Sequence, residues 1–459
     1  VSLEIPLISG VHIFQDTLAV GTSVSSGTPP ASGTGPTLTI QAGNTLAFSD
    51  SSDYLVVNRG SRIIAQGSST APITLTGFVD AVTHAAAPES VQLWGGLVLN
   101  GNGITNNCTD AQRTANNCHV AAEGGGQTFY GGNDNADNSG ILRYVVVKHT
   151  GFEVAPNDEL NGVTFNAVGS GTQVSYLEAY STYDDGIEFF GGAVNIDHYI
   201  ALYVKDDSID FSDGYVGTID TALVIQSQDS NTCIEGDNIG DTRAAAGVPL
   251  NTLPMTNPTI RNMTCVVGVS NQSAPPGTHG AAEGPTLRRG PQMTLQGSIV
   301  YGAFADDTGA DNECFEFAGD GVTNQWAATG ATKVTNTLIA CEQATQPAAG
   351  NRLPNGDTEN EWIRGANPST NGANYSFNTG NVIIEAADLF ANANLAVLDC
   401  FYTRPSKVDQ NGAPITFTGP GAVSRGATDW TANWTFGIHP NRRAKSLWFA
   451  TSAPSPCGP

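Results

Sequence analysis

Basic residues are scarce in this chain. Lysine and arginine number 19 among 459 residues, against 43 aspartates and glutamates, and charged residues of both signs make up only 14% of the sequence. A formal net charge of −24 argues against nucleic acid or an anionic membrane as partner, because both call for a basic footprint. No run of 18 apolar residues occurs, so no segment is expected to span a membrane as a helix. None of the cysteines forms a CxxC, which disfavours a zinc or thioredoxin-like site. Long stretches of 3.6-residue periodicity are missing too, and the best helical candidate is the short segment Ile384 to Ala393. The start shows no initiator Met, basic n-region or apolar h-region. Val1-Ser2-Leu3-Glu4 is therefore expected to be a mature terminus left by signal removal, without the leading Cys of a lipid anchor.

What the chain has instead is glycine, 53 residues of it, and a repeat. Asp184-Asp185-Gly186-Ile187-Glu188-Phe189 is followed 22 residues later by Asp206-Asp207-Ser208-Ile209-Asp210-Phe211. Val174-Ser175-Tyr176-Leu177 lines up with Ile196-Asp197-His198-Tyr199 at the same step. Val163, Ile187, Ile209 and Ile234 then recur at steps of 24, 22 and 25. Short apolar strands ended by Gly, Asn or Asp corners, on a period near 22, are the signature of a solenoid. Three short strands plus corners fit a coil of that length. The expected fold is all-β: a right-handed, single-stranded parallel β-helix with an irregular C-terminal cap. Coils between residues 36 and 345 would number roughly 13 at a rise of about 4.8 Å.

The expected organisation has three parts. Residues 1–36 read as an N-terminal strand, with Val1, Leu3, Ile5 and Leu7 alternating against polar neighbours, followed by a Ser/Gly/Pro-rich linker from Gly21 to Pro36. Residues 37–345 read as the β-helix, interrupted by an inserted loop at about 101–132. Residues 346–459 read as the cap, where Trp362, Trp430, Trp434 and Trp448 cluster. The eight cysteines fall into close couples, and sequential pairing is the simplest expectation: Cys108 with Cys118, Cys233 with Cys265, Cys314 with Cys341, and Cys400 with Cys457. An even count of this kind points to disulfides and an oxidising compartment.

Several longer motifs carry a family resemblance. Trp94-Gly95-Gly96-Leu97-Val98-Leu99-Asn100-Gly101, Tyr130-Gly131-Gly132-Asn133-Asp134, Asn161-Gly162-Val163-Thr164-Phe165 and Val168-Gly169-Ser170-Gly171-Thr172 are four of them. Asp184-Asp185-Gly186-Ile187-Glu188-Phe189-Phe190-Gly191-Gly192 is the fifth. Over about residues 37 to 320 the chain resembles a family of secreted bacterial right-handed parallel β-helix proteins, often labelled hypothetical or lipoprotein. The resemblance implies the fold and a surface location, and no established chemistry.

Chemistry is expected first at the acidic ladder Asp184, Asp185, Glu188, Asp206, Asp207, Asp210 and Asp213. One coil of spacing places equivalent carboxylates about 4.8 Å apart on one face, where they repel unless neutralised. Calcium is the expected cation, since it takes six to eight oxygen ligands. The competing reading is that each corner aspartate accepts backbone N–H bonds as an Asx-turn and is hydrated. Asp134 with Asp137, and Asp306 with Asp307 and Asp311, form weaker clusters. His149 and His198 lack metal-ligand spacing.

Function at this level is an extracellular structural or adhesive surface protein. It would have calcium-stabilised corners and self-associate into filaments by strand addition through Val1, Leu3, Ile5 and Leu7; self-capping of the first coil is the simpler alternative. The other class is a polysaccharide-binding or polysaccharide-degrading β-helix, with Asp184/Asp206 or Asp185/Asp207 as a hydrolase pair, or Lys205 or Arg143 as a lyase base.

Overall fold

In the computed structural model, residues 1–124, 128–155, 158–227, 230–268, 282–302, 314–340, 353–365, 369, 371–383, 418–424, 427–439, 441–442 and 447 are described. Their strands stack in parallel into a β-helix with three rows. The first coil runs through Leu3–Ile5, Val11–Phe14 and Leu18–Val20. These pair in register with Thr37–Ile40, Thr45–Phe48 and Leu55–Val57 of the second coil. The third row continues alone as a sheet of nine strands ending at Glu316–Phe317.

From Gly140–Lys148 to Thr259–Val266 a single long strand in each coil serves both the first and second rows, which are separate strands again from Thr294–Gln296 and Ile299–Tyr301 onward. The first half of Gly140–Lys148 pairs with Arg62–Gln66 and its second half with Ile73–Gly77. The bend between the halves falls at one residue per coil with positive φ: Tyr144 (49°), Tyr176 (55°), His198 (63°), Thr221 (64°) and Asn262 (57°). A left-handed backbone costs a non-glycine residue about 1–2 kcal/mol. Part of that is offset by ring stacking along the axis, with centroids 4.3 Å apart for Tyr144–Tyr176 and 4.5 Å for Tyr176–His198.

Alternation along each strand sends one set of side chains inward. Ile40, Ala65, Leu142, Val174, Ile196, Ile219, Ile260 and Leu295 occupy equivalent buried positions in successive coils. In the third row Phe165, Phe189 and Phe211 share one inward register, and Phe165 stacks on Phe189 at 5.2 Å. The expected steps hold there, Val163 pairing with Ile187 and Ile187 with Ile209.

Four expectations change. The solenoid begins at Leu3 rather than at residue 37, because Leu3–Ile5 is hydrogen-bonded to Thr37–Ile40 of its own chain and Ile5 is buried in the core. Of the residues expected to recruit a neighbouring subunit, Ile5 is thus committed internally, while Val1, Leu3 and Leu7 are exposed. Between residues 36 and 345 the longest strand path crosses nine strands among the described residues, fewer than 13 coils, because insertions consume chain without adding rungs. The main insertion runs from 101 to 139 and is not a plain loop: it carries the helix Asp110–Thr114, closed by a Thr109/Gln112 capping box, and the hairpin Val120–Ala121 with Phe129–Tyr130.

The tail, finally, is not one cap. Trp362, in the helix Glu359–Arg364, is fully buried against Phe315 and Phe317 and closes the end of the core. Trp434 instead returns along the side of the rod, where it meets Tyr144 and Tyr176 edge-on. There Ala422, Val423, Ile438 and Leu447 cover the outward apolar row Val146, Ile200, Leu223 and Ile299. Glu178 stands in that same row with no exposed surface. The Phe436 backbone N–H donates to its Oε2 at 2.8 Å, and its Oε1 has no donor among the described residues.

Cys108–Cys118 and Cys233–Cys265 are disulfides, as paired from the sequence. Cys314 is also disulfide-bonded. Cys341, Cys400, Cys457, Trp448, the Ile384–Ala393 segment and Asp306, Asp307 and Asp311 lie outside the described residues.

Candidate cation-binding cleft

The third row positions the acidic site. Ile187 and Phe189 point into the core, so pleating turns Glu188 outward; the same holds for Asp210 between Ile209 and Phe211. Register then aligns Thr164, Glu188, Asp210, Glu235 and Thr286 as one outward ladder. Asp184-Asp185 and Asp206-Asp207 occupy the corners that lead into these strands. A Cβ at Gly186 would lie 2.7 Å from the Ser208 carbonyl oxygen, so this coil takes glycine after its two aspartates.

The corner aspartates link one coil to the next. Asp185 Oδ1 accepts from the Asp207 backbone N–H at 3.0 Å, and Asp207 Oδ1 accepts from Thr232 N and Oγ1 at 2.7 and 2.6 Å. Asn161 receives the Asp185 N–H and donates to Glu188 Oε2 at 2.6 Å. The backbone contacts expected of an Asx-turn are therefore present, but they run between coils. They occupy one oxygen of each aspartate.

Three insertions raise walls around this ladder. The hairpin at 120–130 brings Glu123, and the hairpin Glu153–Ala155/Asp158–Glu159 brings Asp158 and Glu159. Gly124 N–H donates to Asp158 Oδ1 at 2.7 Å and ties the two together. The third insertion carries the helix Asp241–Ala245, whose Arg243 pairs with Asp213 at 2.8 Å. The enclosed cleft has a volume of about 550 Å³ and takes in every residue of the expected ladder.

Within the cleft two environments separate. At one end each carboxylate has a guanidinium: Asp213 has Arg243, Glu235 has Arg288, and Asp237 has Arg289 at 2.6 Å. At the other, no described Lys or Arg forms an ion pair with Asp184, Asp185, Glu188, Asp207 or Asp210. Burial, and then the like charge of neighbours, pushes Asp184, Asp185, Glu188 and Asp207 well above the usual carboxylate range. Burial also raises Asp210 to about 7, although Arg288 opposes it, and raises Glu123 to about 8.

Both a cation site and an acid–base pair are built from carboxylates, and the two make different demands on them. A hydrolase needs two groups whose environments push their pKa values apart. In the Asp185/Asp207 pair burial raises both members, so that pair does not meet the condition. Three groups, Asp184/Asp185/Asp206, Asp185/Glu188/Asp210 and Asp207/Asp210/Glu235, each offer oxygens within 4.8 Å of one another. Calcium–oxygen bonds of about 2.3–2.6 Å span such a separation with the ion between its ligands. Buried oxygens without a donor among the described residues, Glu123 Oε2, Asp210 Oδ1 and Asp237 Oδ1, line the same space.

Asp213 is the one ladder residue outside all three groups, being held by Arg243 and Asn107. Lys205 and Arg143 do not line the cleft: Lys205 pairs with Glu89, and Arg143 stands exposed on the first row beside Tyr144. Asp137 is buried, accepting from Asn102 N and Nδ2. His149 is buried against the Ser90 carbonyl, and His198 sits in the corner stack beside Asp197. Glu123, Asp158, Glu159, Glu235 and Asp237 were not picked out as site residues from the sequence. Glu235 had a signal, since it follows Ile234 at the same offset as Asp210 follows Ile209. The others come from insertions whose path the repeat does not encode.

Rows of parallel strands around one apolar core, with an acidic cleft on the third row, define a parallel β-helix protein. The chain belongs to the family of the pectate-lyase-like beta helix domain, whose model matches residues 28–384. Neither a curated protein nor a solved structure gives a significant match. Among the described residues no helix is long and apolar enough to cross a membrane.

Proposed function

We propose that the chain is an extracellular, calcium-binding β-helix that engages carbohydrate at its acidic cleft. The observation that carries this reading is the convergence of buried and half-buried carboxylates into groups within 4.8 Å, among them Asp210, whose Oδ1 meets no donor among the described residues. Unneutralised, such groups oppose folding; loaded with cations, they become a neutralised surface on which hydroxyl and carboxylate oxygens of a saccharide complete the coordination. Family membership supports the carbohydrate part, and the disulfides accord with an oxidising compartment. Calorimetric titration with Ca²⁺ tests the cation directly. Glu188→Gln and Asp210→Asn are each expected to weaken binding at least about tenfold, because each removes a charged ligand from a desolvated site. Unaltered affinity in both would refute the assignment.

A structural role through self-association is the second reading. It is favoured by the exposed apolar side chains of the first coil, Leu3, Leu7, Ile8 and Ile13. Light scattering on the double variant Leu3→Lys/Ile13→Lys checks it: oligomers present in the parent should dissociate. Deleting residues 1–7 would be a poorer test, because it strips Leu3–Ile5 from Thr37–Ile40.

A further inference from the structure

The two ends of the rod differ. At the C-terminal end Trp362 is fully buried against Phe315 and Phe317, and the helix Glu359–Arg364 covers the core. At the other end no described element covers it. Leu3 shares its inward register with Leu38, yet Leu3 is 52% exposed and Leu38 only 1%. His12, Phe14 and Leu18 are likewise only half-buried, at positions where the second coil has the fully buried Leu46, Phe48 and Leu55.

The backbone is open at this end too. The Ile5 carbonyl accepts from Gln41 N–H, that of Phe14 from Ser49 N–H, and that of Val20 from Asn58 N–H. These residues face the second coil, so their neighbours Glu4, Ile13 and Ala19 turn N–H and C=O the other way. No described strand pairs with that side of the first coil. Edges of this kind recruit another chain unless they are blocked. Here three of them surround an apolar core, which calls for an occupant with three strand edges in the same outline and an uncovered core of its own. The first coil of a second copy has both. Charge favours that occupant as well: Glu4 and Asp16 are the only carboxylates among residues 1–20, in a chain that carries 43 aspartates and glutamates.

We infer that two copies join end to end through their first coils, about a two-fold axis that sets each strand antiparallel to a strand of the other copy. The inference rests on the self-association reading above and narrows it to one surface and one partner. A two-fold contact uses the same surface on both copies and closes at two. The C-terminal end has its core already covered and does not match the open one. The product is a doubled rod rather than a filament.

Sedimentation velocity on the full chain gives the mass, and small-angle X-ray scattering gives the shape. A dimer is expected, with about twice the length of the monomer and the same cross-section. Ala19→Pro removes an outward N–H at an edge position where proline is tolerated, and Leu3→Lys places a charge on the uncovered core. Each should weaken the dimer at least about tenfold while leaving the circular dichroism spectrum unchanged. A dimer that is wider rather than longer, a species larger than two, or a dimer that survives both substitutions overturns end-to-end pairing and leaves self-association by another surface standing. A monomer at every soluble concentration overturns both.

Discussion

Raising the pH from about 5 to about 8 in the presence of a chelator is expected to lower the melting temperature by about 5 °C or more, and calcium to restore it. The sign follows from which state holds more protons. Asp184, Asp185, Glu188, Asp207, Asp210 and Glu123 all have folded-state pKa values above those of the unfolded chain, with burial as the first cause. The folded state therefore binds more protons. Their contribution is fully present below the unfolded values, near 4, and is lost as pH rises through the folded ones, about 7 for Asp210 and about 8 for Glu123. Calcium takes over the protons' role and adds about 4 kcal/mol per independent site at a thousandfold excess over its Kd. Asp80 and Asp357 run the other way. Burial works against both, but His149 and Lys148 hold Asp80 low, and hydrogen bonds from Ser369, Tyr375 and Asn355 hold Asp357 at about 2. Their contributions disappear only in acid, below the window tested. Scanning calorimetry with and without Ca²⁺ at both pH values measures the effect. A melting temperature that stays flat, or rises with pH in chelator, would contradict the charge balance described for the cleft.

Glu178→Gln is expected to stabilise the protein at pH 8 and above by about 3–5 kcal/mol, and to have little effect at pH 4. Glu178 is enclosed between the second row and the returning C-terminal segment, and burial raises it to about 8 despite the Phe436 N–H. Its proton is therefore retained in the folded state and released in the unfolded one across the range between 4.5 and 8. Glutamine keeps the shape and the acceptor for Phe436 without a charge to bury. Because the side chain accepts from the Phe436 N–H, the benefit should be local as well. Limited proteolysis at high pH should cut the 418–447 region more slowly in the variant than in the parent. Equal denaturation midpoints for the two proteins across the whole pH range would show that Glu178 does not carry this load.

Much of the rod was legible because a coil repeats its own physics. Each coil must bury an apolar residue at the same angular position, and that requirement wrote the steps from Val163 to Ile234 directly into the residue order. The paired acidic corners were legible for the same reason, since equivalent residues of adjacent coils land on each other. Less visible were the features where one coil departs from the next. Tyr144, Tyr176, His198, Thr221 and Asn262 share a left-handed corner but no common chemistry, so nothing in the residue types announced the bend. Whether the first strand pairs with a neighbour or caps its own chain stayed open in the sequence because its partner lies 35 residues ahead across a Pro-rich loop, a distance no local pattern spans.

By itself the sequence determined the solenoid, its phase, two disulfides and the seven carboxylates of the ladder, since all of these follow from short-range periodicity and near-neighbour spacing. Only the tertiary structure decided that the solenoid starts at Leu3, that the tail divides between an end cap and a side strap, and that the ladder lies at the bottom of a cleft. Depth changes the chemistry. An aspartate at an open corner is hydrated and stays charged, whereas the same aspartate walled in by Glu123, Asp158 and Asp237 must hold a proton or a cation. Which residues build those walls depends on how the insertions fold back over the third row, and that is set by contacts between segments far apart in the chain.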